Sequence, residues 1–169
     1  MPAVPPLDPT APKDAFFRAS ERVVQSPPGR WFGIHVASRL DPVLLRLTGG
    51  RFGTFPQAKV VLLTVPGRKS GEPRTCPLLY FTEGEDVIVI ASSFGRERHP
   101  AWYHNVMAHP EVELHAKGRG GRYVAREAVG EERDRLYGLA NLIYPGYADY
   151  EVRAAAAGRT IPVVALRPL

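Results

Sequence analysis

The pattern of apolar and polar positions divides the chain into three stretches. Residues 1–12 contain five prolines, which exclude a helix or a central strand, so this start is predicted to be extended or disordered. Residues 13–55 place apolar side chains at helical spacing between charged ones, which indicates N-terminal amphipathic helices. From residue 56 onward the pattern becomes that of short strands separated by turns, and we expect one folded domain over residues 56–169.

The third stretch predicts six strands and few helices. Alternating or continuous apolar runs predict strands over residues 60–65, 75–82, 86–92, 111–116, 122–128 and 160–166. Helical periodicity predicts short helices over residues 100–108 and 131–144, and glycines 118, 120 and 121 predict a hairpin turn. So many strands with so few helices between them favour a mainly β fold of the α+β class. We expect an antiparallel sheet or small barrel with peripheral helices packed outside.

Composition and charge narrow the class of protein. The chain has 169 residues with a net charge of +5, most of it in the first third. Basic residues do not alternate with exposed aromatics, so a nucleic-acid partner is not expected. The chain shows neither an apolar run long enough to span a membrane nor a secretory signal, so a cytoplasmic protein is predicted. The basic amphipathic stretch 13–55 fits a peripheral contact at the inner face of the membrane, or packing on the barrel or a second subunit.

A glycine-flanked turn carries the clearest candidate chemistry. Arg68, Lys69 and Ser70 lie between Gly67 and Gly71, and Arg74 follows. The two glycines leave the backbone free to turn, and a hydroxyl and three cations could then bind an anion. A solvated hairpin turn has the same composition. The spacing is that of neither a P-loop nor a dinucleotide fingerprint.

Three further segments are candidates for ligand contacts. Ser92 and Ser93 end an apolar strand, where small hydroxyl residues approach a planar ligand or simply form a strand exit. The segment 99–105 concentrates aromatic, amide and imidazole groups that serve either as core anchors or as ligand contacts. Tyr144, Tyr147 and Tyr150 recur every three residues, which suits a pocket wall or a packing stripe.

Metal and hydrolytic sites are not predicted. Four histidines lie between positions 99 and 115, but their spacing does not place two imidazoles on one helix face. The single cysteine, Cys76, excludes an internal disulfide, and no nucleophile elbow or carboxylate pair is apparent. Anion-binding turns and aromatic walls without a catalytic dyad favour a bound cofactor that supplies the chemistry.

The order and spacing of these motifs resemble the deazaflavin (F420)-dependent nitroreductase family. The match runs over about residues 55–169. It covers the turn at 67–71 with Pro73 and Arg74, the run from Ala91 to Gly95, the His99–Asn105 segment, the three tyrosines, and Arg159 with Ile161 and Pro162. The resemblance implies a split β-barrel like those that bind flavins. It also implies coenzyme F420, whose reduced form donates a hydride to a quinone-like, nitroaromatic or other electrophilic acceptor.

The resemblance also implies roles for individual residues. Arg68, Lys69, Ser70 and Arg74 would hold the anionic phosphodiester and polyglutamate tail of F420. Pro77, Leu78, Leu79, Ala91, Ser92 and Ser93 would line the deazaflavin and ribityl chain, while Trp102, Tyr103 and Asn105 would close the groove. Tyr147 would touch the cofactor, and Tyr144 and Tyr150 would wall the substrate pocket. Ser92 and Tyr147 would be the catalytic residues, Tyr147 as a proton donor.

This chain departs from the family pattern at two places. Ser93-Phe94 stands where members often have lysine and glycine, and Leu79 stands where members often have tyrosine. Two other classes of function stay open at this point: a non-catalytic F420 carrier, and a split barrel that binds FMN or haem. A homodimer is a further expectation.

Overall fold

The computed structural model describes residues 4–11 and 60–169, and the helices predicted for residues 13–55 lie outside them. The described part is a closed six-stranded antiparallel barrel with the strand order β1-β2-β3-β6-β5-β4. The strands are β1 (Val60–Pro66), β2 (Pro73–Glu83), β3 (Asp86–Ile90), β4 (Glu111–Ala116), β5 (Arg119–Ala128) and β6 (Val163–Pro168). The predicted mainly β fold with peripheral helices is confirmed.

Three helices and one short turn connect the strands. They are α1 (Ala101–Ala108), α2 (Gly130–Ile143) and α3 (Gly146–Ala156), with a 3-10 turn over Ser93–Gly95. Each predicted strand and helix of this stretch appears within a few residues of its expected bounds. Tyr144 lies before α3, so only Tyr147 and Tyr150 of the three tyrosines are helical.

The two faces of the barrel wall form two separate cores. Successive strand residues point to opposite faces, so alternate positions fall into different clusters. One cluster fills the barrel interior and includes Leu63, Val89 and Tyr123, with Trp102 and Tyr103 of α1 packed against it. The other lies between the wall and helices α2 and α3, and includes Phe81, Leu136 and Tyr147.

Residues 4–11 of the proline-rich start lie against the barrel and form neither helix nor strand. Val4 is buried in the interior cluster, and its backbone N–H donates to Tyr123 Oη at 2.9 Å. Leu7 exchanges hydrogen bonds with Thr82, whose N–H donates to the Leu7 carbonyl at 2.9 Å. The buried Val4 side chain and the backbone hydrogen bonds of Val4 and Leu7 therefore hold this segment against the barrel.

The β4–β5 hairpin is tighter than predicted. Its turn consists of Lys117 and Gly118, both with positive φ, while Gly120 and Gly121 already belong to β5. A Cβ at Gly120 would collide with the Leu114 carbonyl and the His115 ring, so this glycine permits a close strand approach instead of a turn. Within the described residues, no helix is long and apolar enough to cross a membrane.

Candidate cofactor and acceptor site

The β1–β2 connection is a closed loop that presents side chains outward. The Gly67 N–H donates to the Glu72 carbonyl at 2.9 Å, and the Gly71 N–H donates to the Gly67 carbonyl at 2.7 Å. Gly71 has φ +70°, a left-handed conformation that favours glycine, and a Cβ at Gly67 would lie 2.8 Å from Ser70 Oγ. Because the loop satisfies its own backbone, Arg68, Lys69 and Ser70 are exposed and available for a ligand.

The three cations of this region have no carboxylate partner within the part of the chain that the structure describes. Every ion pair there is formed by other arginines, such as Arg126 with Glu132 and Arg167 with Asp86. Three uncompensated positive charges on one loop and the adjoining strand attract polyanions. The arrangement fits an anionic ligand carrying more than one negative charge.

Helix α1 forms the opposite wall of a groove beside these cations. The Arg68 N–H donates to Asn105 Oδ1 at 3.1 Å, which fixes the loop against the helix. The groove encloses about 500 Å³. We call it the basic groove; it is lined by Gly67, Arg68, Lys69, Ser70, Arg74, Cys76, Ala101, Trp102 and Asn105. It therefore unites six of the predicted tail and wall residues, two of which lie on α1.

A second cavity adjoins the basic groove and shares Arg68, Ala101 and Asn105 with it. This histidine cavity has a volume of about 600 Å³ and is otherwise lined by Glu97, Arg98, His99, His104, Ala157, Gly158 and Arg159. A third depression of about 730 Å³ continues from His99 to Ser93. The three together form a continuous surface from the cationic loop to the end of β3, long enough for an extended ligand.

The chain leaves β3 through a strained turn that carries Ser92 and Ser93. Ser93, Phe94 and Gly95 have φ values of 50°, 58° and 75°, so three successive residues are left-handed. Two of them are not glycine, and each costs about 1–2 kcal/mol in this conformation. Phe94 is exposed, and its ring packs edge-on against Tyr150 with centroids 5.8 Å apart. Such strain is typical of functional sites.

Phe94→Gly is expected to be more stable than Phe94→Ala by about 1 kcal/mol. Both variants lose the contact with Tyr150, but only glycine adopts φ 58° without strain. The left-handed strain in the alanine variant outweighs the greater entropy of the unfolded glycine variant, and chemical denaturation measures the net difference. An alanine variant as stable as the glycine variant would contradict the strained turn.

The three predicted tyrosines meet beside this turn, as the predicted packing stripe or pocket wall requires. Their ring centroids lie 5.4 to 6.1 Å apart, and Tyr144 Oη lies 3.2 Å from Tyr150 Oη. Tyr144 and Tyr150 are partly exposed, whereas Tyr147 is buried. Burial raises the pKa of the Tyr147 phenol above its ordinary value, which makes it a weaker acid.

Tyr147→Phe is therefore expected to change kcat by no more than about threefold. Only the hydroxyl is removed, and a buried phenol with a raised pKa is a poor general acid. Steady-state kinetics at saturating donor and acceptor measures the effect. A kcat at least tenfold lower, with unchanged thermal stability, would indicate that Tyr147 is the proton donor.

Several predicted cofactor contacts do not share one face. Leu78 packs with the barrel interior, whereas the adjacent Leu79 packs with the helix-covered layer beside Tyr147. The period of two along a strand places these neighbours on opposite sides of the wall. Leu79 and Tyr147 border a separate space of about 10 Å³, too small for a ligand. The structure thus does not bring these two residues to the basic groove.

Three further predicted contacts, Pro77, Ala91 and Tyr103, do not line the basic groove. Pro77 lies in β2 next to Cys76, and Ala91 is buried at the end of β3. Tyr103 lies in α1, and its hydroxyl donates to Glu127 Oε2 at 2.6 Å. Burial and this carboxylate raise the pKa of Tyr103 to about 12, so it is a structural hydrogen-bond donor.

Sequence reasoning gave no role to Arg159, which the structure places in the site. Its guanidinium donates to the Ala91 carbonyl at 3.2 Å and to the Ser92 carbonyl at 2.5 Å, and it contacts His99 Nδ1 at 3.0 Å. The signals available in the sequence were its place in the family motif and the shortage of acidic residues near it. Neither indicates burial, because isolated charges are ordinarily exposed.

Comparison with known proteins agrees with this site. The model of the F420H2-dependent quinone reductase family matches residues 37–168. An F420H2-dependent quinone reductase of Mycobacterium tuberculosis is 34% identical over 145 residues, which cover 81% of this chain and 95% of that protein.

Two solved structures resemble the chain in both sequence and fold. A structure titled F420-H2 dependent reductase (FDR-A) is 37% identical, with a TM-score of 0.59 over 64% of this chain and 94% of that one. A structure titled as a domain-swapped dimer is 32% identical, with a TM-score of 0.61 over 83% of this chain and 99% of that one. By the extent of the family match and the identity to its members, the chain belongs to the F420H2-dependent quinone reductase family.

Proposed function

We propose that this protein uses reduced F420 to reduce a quinone-type acceptor, with the cofactor tail in the basic groove. The observation that carries the proposal is the cationic loop of Arg68, Lys69 and Arg74, which has no carboxylate partner among the described residues and faces the N-terminal end of α1. A phosphodiester followed by glutamates is a polyanion of the kind this loop would neutralise. Family membership supplies the reaction class.

The residues present fit such a cofactor. Arg68, Lys69 and Arg74 would pair with tail anions, and the exposed Ser70 hydroxyl would donate to them. Trp102 and Asn105 would bound the groove on the helix side. The N-terminal end of α1 adds unpaired N–H groups and a positive dipole.

Bound reduced F420 would supply a hydride to an electrophilic carbon of the acceptor. The chain would bind, orient and exclude water, which is how proteins accelerate reactions whose chemistry belongs to a cofactor. Ser92 is half-buried and directly precedes Ser93, which lines the third depression, and its Oγ would donate a hydrogen bond to a reactant oxygen. Tyr144 and Tyr150 would form the wall of the acceptor site, with the exposed Phe94 at its edge.

Binding measurements test the cofactor and separate the alternatives. Calorimetric titration of the full chain with F420, FMN and haem should show binding to F420 that is at least tenfold tighter than to FMN. FMN lacks the glutamates that would engage the cationic loop. Tighter binding of FMN or haem would overturn the proposal, and F420 binding without turnover of menadione or a nitroaromatic would favour a carrier.

The proposed partners are the small-molecule acceptor and a second copy of the chain. A relative of known structure is titled a domain-swapped dimer, which supports testing this chain for a homodimer by light scattering. A peripheral membrane contact rests on residues 13–55, outside the described residues, and stays a prediction. Sedimentation of the full chain with anionic vesicles, compared with neutral ones, tests it.

A further inference from the structure

Arg159 is a buried cation that is held without a carboxylate. It is 8% exposed, and no carboxylate in the described part of the chain forms an ion pair with it. Its Nε is buried with no hydrogen-bond partner there, while its two terminal nitrogens contact the Ala91 and Ser92 carbonyls and His99. Burying a charge in this way costs stability, which makes Arg159 a candidate functional residue of the site.

The backbone holds Arg159 in position from the side of α3. The Arg159 N–H donates to the Ala154 carbonyl at 2.8 Å, at the end of that helix. The Ala91 N–H donates to the Pro162 carbonyl at 3.0 Å, three residues further on. The guanidinium therefore joins the loop after α3 to the strained turn after β3 through the Ser92 carbonyl.

The contact with His99 determines the proton on that ring. Arginine has only donors, so His99 Nδ1 must accept the hydrogen bond at 3.0 Å and carry no proton. The ring is then neutral, with its proton on Nε2 at the other side. His99 packs against Tyr103 and His104, with centroids 5.0 and 5.9 Å away, and it borders two of the three cavities. The Nε2–H group is a donor with a fixed orientation in this surface.

We propose that Arg159 is a positioning residue of this site, which fixes the Ser92 turn and holds His99 as a neutral Nε2–H donor to an oxygen of a bound reactant. The inference rests on the proposed function for the identity of the reactants. The oxygen belongs either to the cofactor or to the quinone acceptor. The two share one chemistry, since both present carbonyl or anionic oxygens to a donor.

The charges around His99 maintain its neutral form. Burial, followed by the charges of Arg159 and His104, lowers the pKa of His99, while Glu127 acts in the opposite direction. Glu97 and Arg98 line the same cavity. A depressed pKa means that the neutral form is favoured in the folded state. The Arg159 contact is therefore fully present above the ordinary pKa of histidine and is lost only as the pH falls through the lowered pKa of the folded state, because a protonated ring has no acceptor.

Nuclear magnetic resonance of the cofactor-free full chain tests the geometry directly. With ¹⁵N-labelled histidine, His99 should show a protonated Nε2 and an unprotonated Nδ1 at neutral pH, with its signals assigned by their loss in His99→Gln. In Arg159→Met this tautomer preference should weaken, and the pKa of His99 should rise. A His99 protonated on Nδ1 in the unaltered protein would overturn the proposal. This result does not depend on whether F420 is the cofactor.

Kinetics and binding identify the reactant that receives the hydrogen bond. His99→Leu should weaken F420 binding about 3- to 10-fold if the oxygen is the cofactor's, or raise KM for menadione by that factor if it is the acceptor's. Either result supports the donor role. Unchanged F420 affinity together with unchanged KM and kcat would overturn it.

Two further variants separate positioning from stability. Arg159→Lys keeps the charge but replaces the planar guanidinium by a single ammonium nitrogen, so it should fold while losing part of the tautomer preference. Arg133→Met is the matched control, because Arg133 also donates to a backbone carbonyl, that of Ile161, but borders none of the three cavities. Arg133→Met should lower stability without changing the His99 signals, whereas equal effects of both arginines on those signals would contradict a positioning role.

Discussion

Replacing Lys69 and Arg74 together by glutamine is expected to weaken F420 binding by about 30- to 100-fold at low ionic strength. Each cation would contribute roughly 1–1.5 kcal/mol through a charge-assisted contact at a partly exposed site, and 1.4 kcal/mol is a factor of ten. Because salt screens such contacts, the loss should shrink as ionic strength rises. Calorimetric titration with F420 at two salt concentrations measures both effects.

Arg119→Gln provides a control for the loss of a positive charge away from the basic groove. Arg119 begins β5, and the pairing of Thr64 with Glu113 places the β4–β5 turn at the opposite end of the barrel from the cationic loop. The control removes one positive charge and should change F420 affinity less than twofold. An equal loss of F420 affinity in the control and in the groove variant would mean that the cationic loop acts only through the net charge of the protein.

Gly95→Ala is expected to destabilise the protein by about 2–4 kcal/mol and to abolish most of its reductase activity. Gly95 has φ +75°, and a Cβ there would lie 2.7 Å from the Tyr150 carbonyl and 2.9 Å from Arg153 Cβ. The substitution combines left-handed strain with overpacking against a helix backbone. Relieving the collision would require α3 to move away from the turn that carries Ser92. Denaturant unfolding and steady-state kinetics measure the two losses.

Gly84→Ala distinguishes the collision from the strain. Gly84 also has a positive φ, +57°, in the β2–β3 turn, but an added Cβ there meets nothing within 4 Å. Its cost should be about 1 kcal/mol, with activity retained. If the two alanine variants were equally stable, the close packing of α3 on the turn would be contradicted.

The strands and the cationic loop could be predicted because their signals are local. A run such as Val60 to Val65 followed by Pro66-Gly67 encodes a strand and its end within eight residues. The composition of the loop alone predicts anion binding, since glycines, cations and a hydroxyl are adjacent in the chain. The same locality explains why the helix at Ala101–Ala108 was anticipated almost to the residue.

The features that were missed depend on contacts between distant parts of the chain. Leu79 packs away from Leu78, under α2 and α3, and the local sequence does not show which face of the barrel those helices cover. Arg159 meets Ala91 and Ser92 only because β6 pairs with β3, which places the loop after α3 beside the end of that strand. The ordered path of Val4 depends on Tyr123, 119 residues away.

The central claim is that this chain oxidises reduced F420 with a quinone. The most direct measurement mixes the purified full chain with reduced F420 and menadione under anaerobic conditions and follows the visible absorption band of oxidised F420. We expect the band to return at a rate proportional to protein concentration, and more slowly with the Lys69 and Arg74 variant at low salt. A rate equal to that without protein, despite bound F420, would contradict the account.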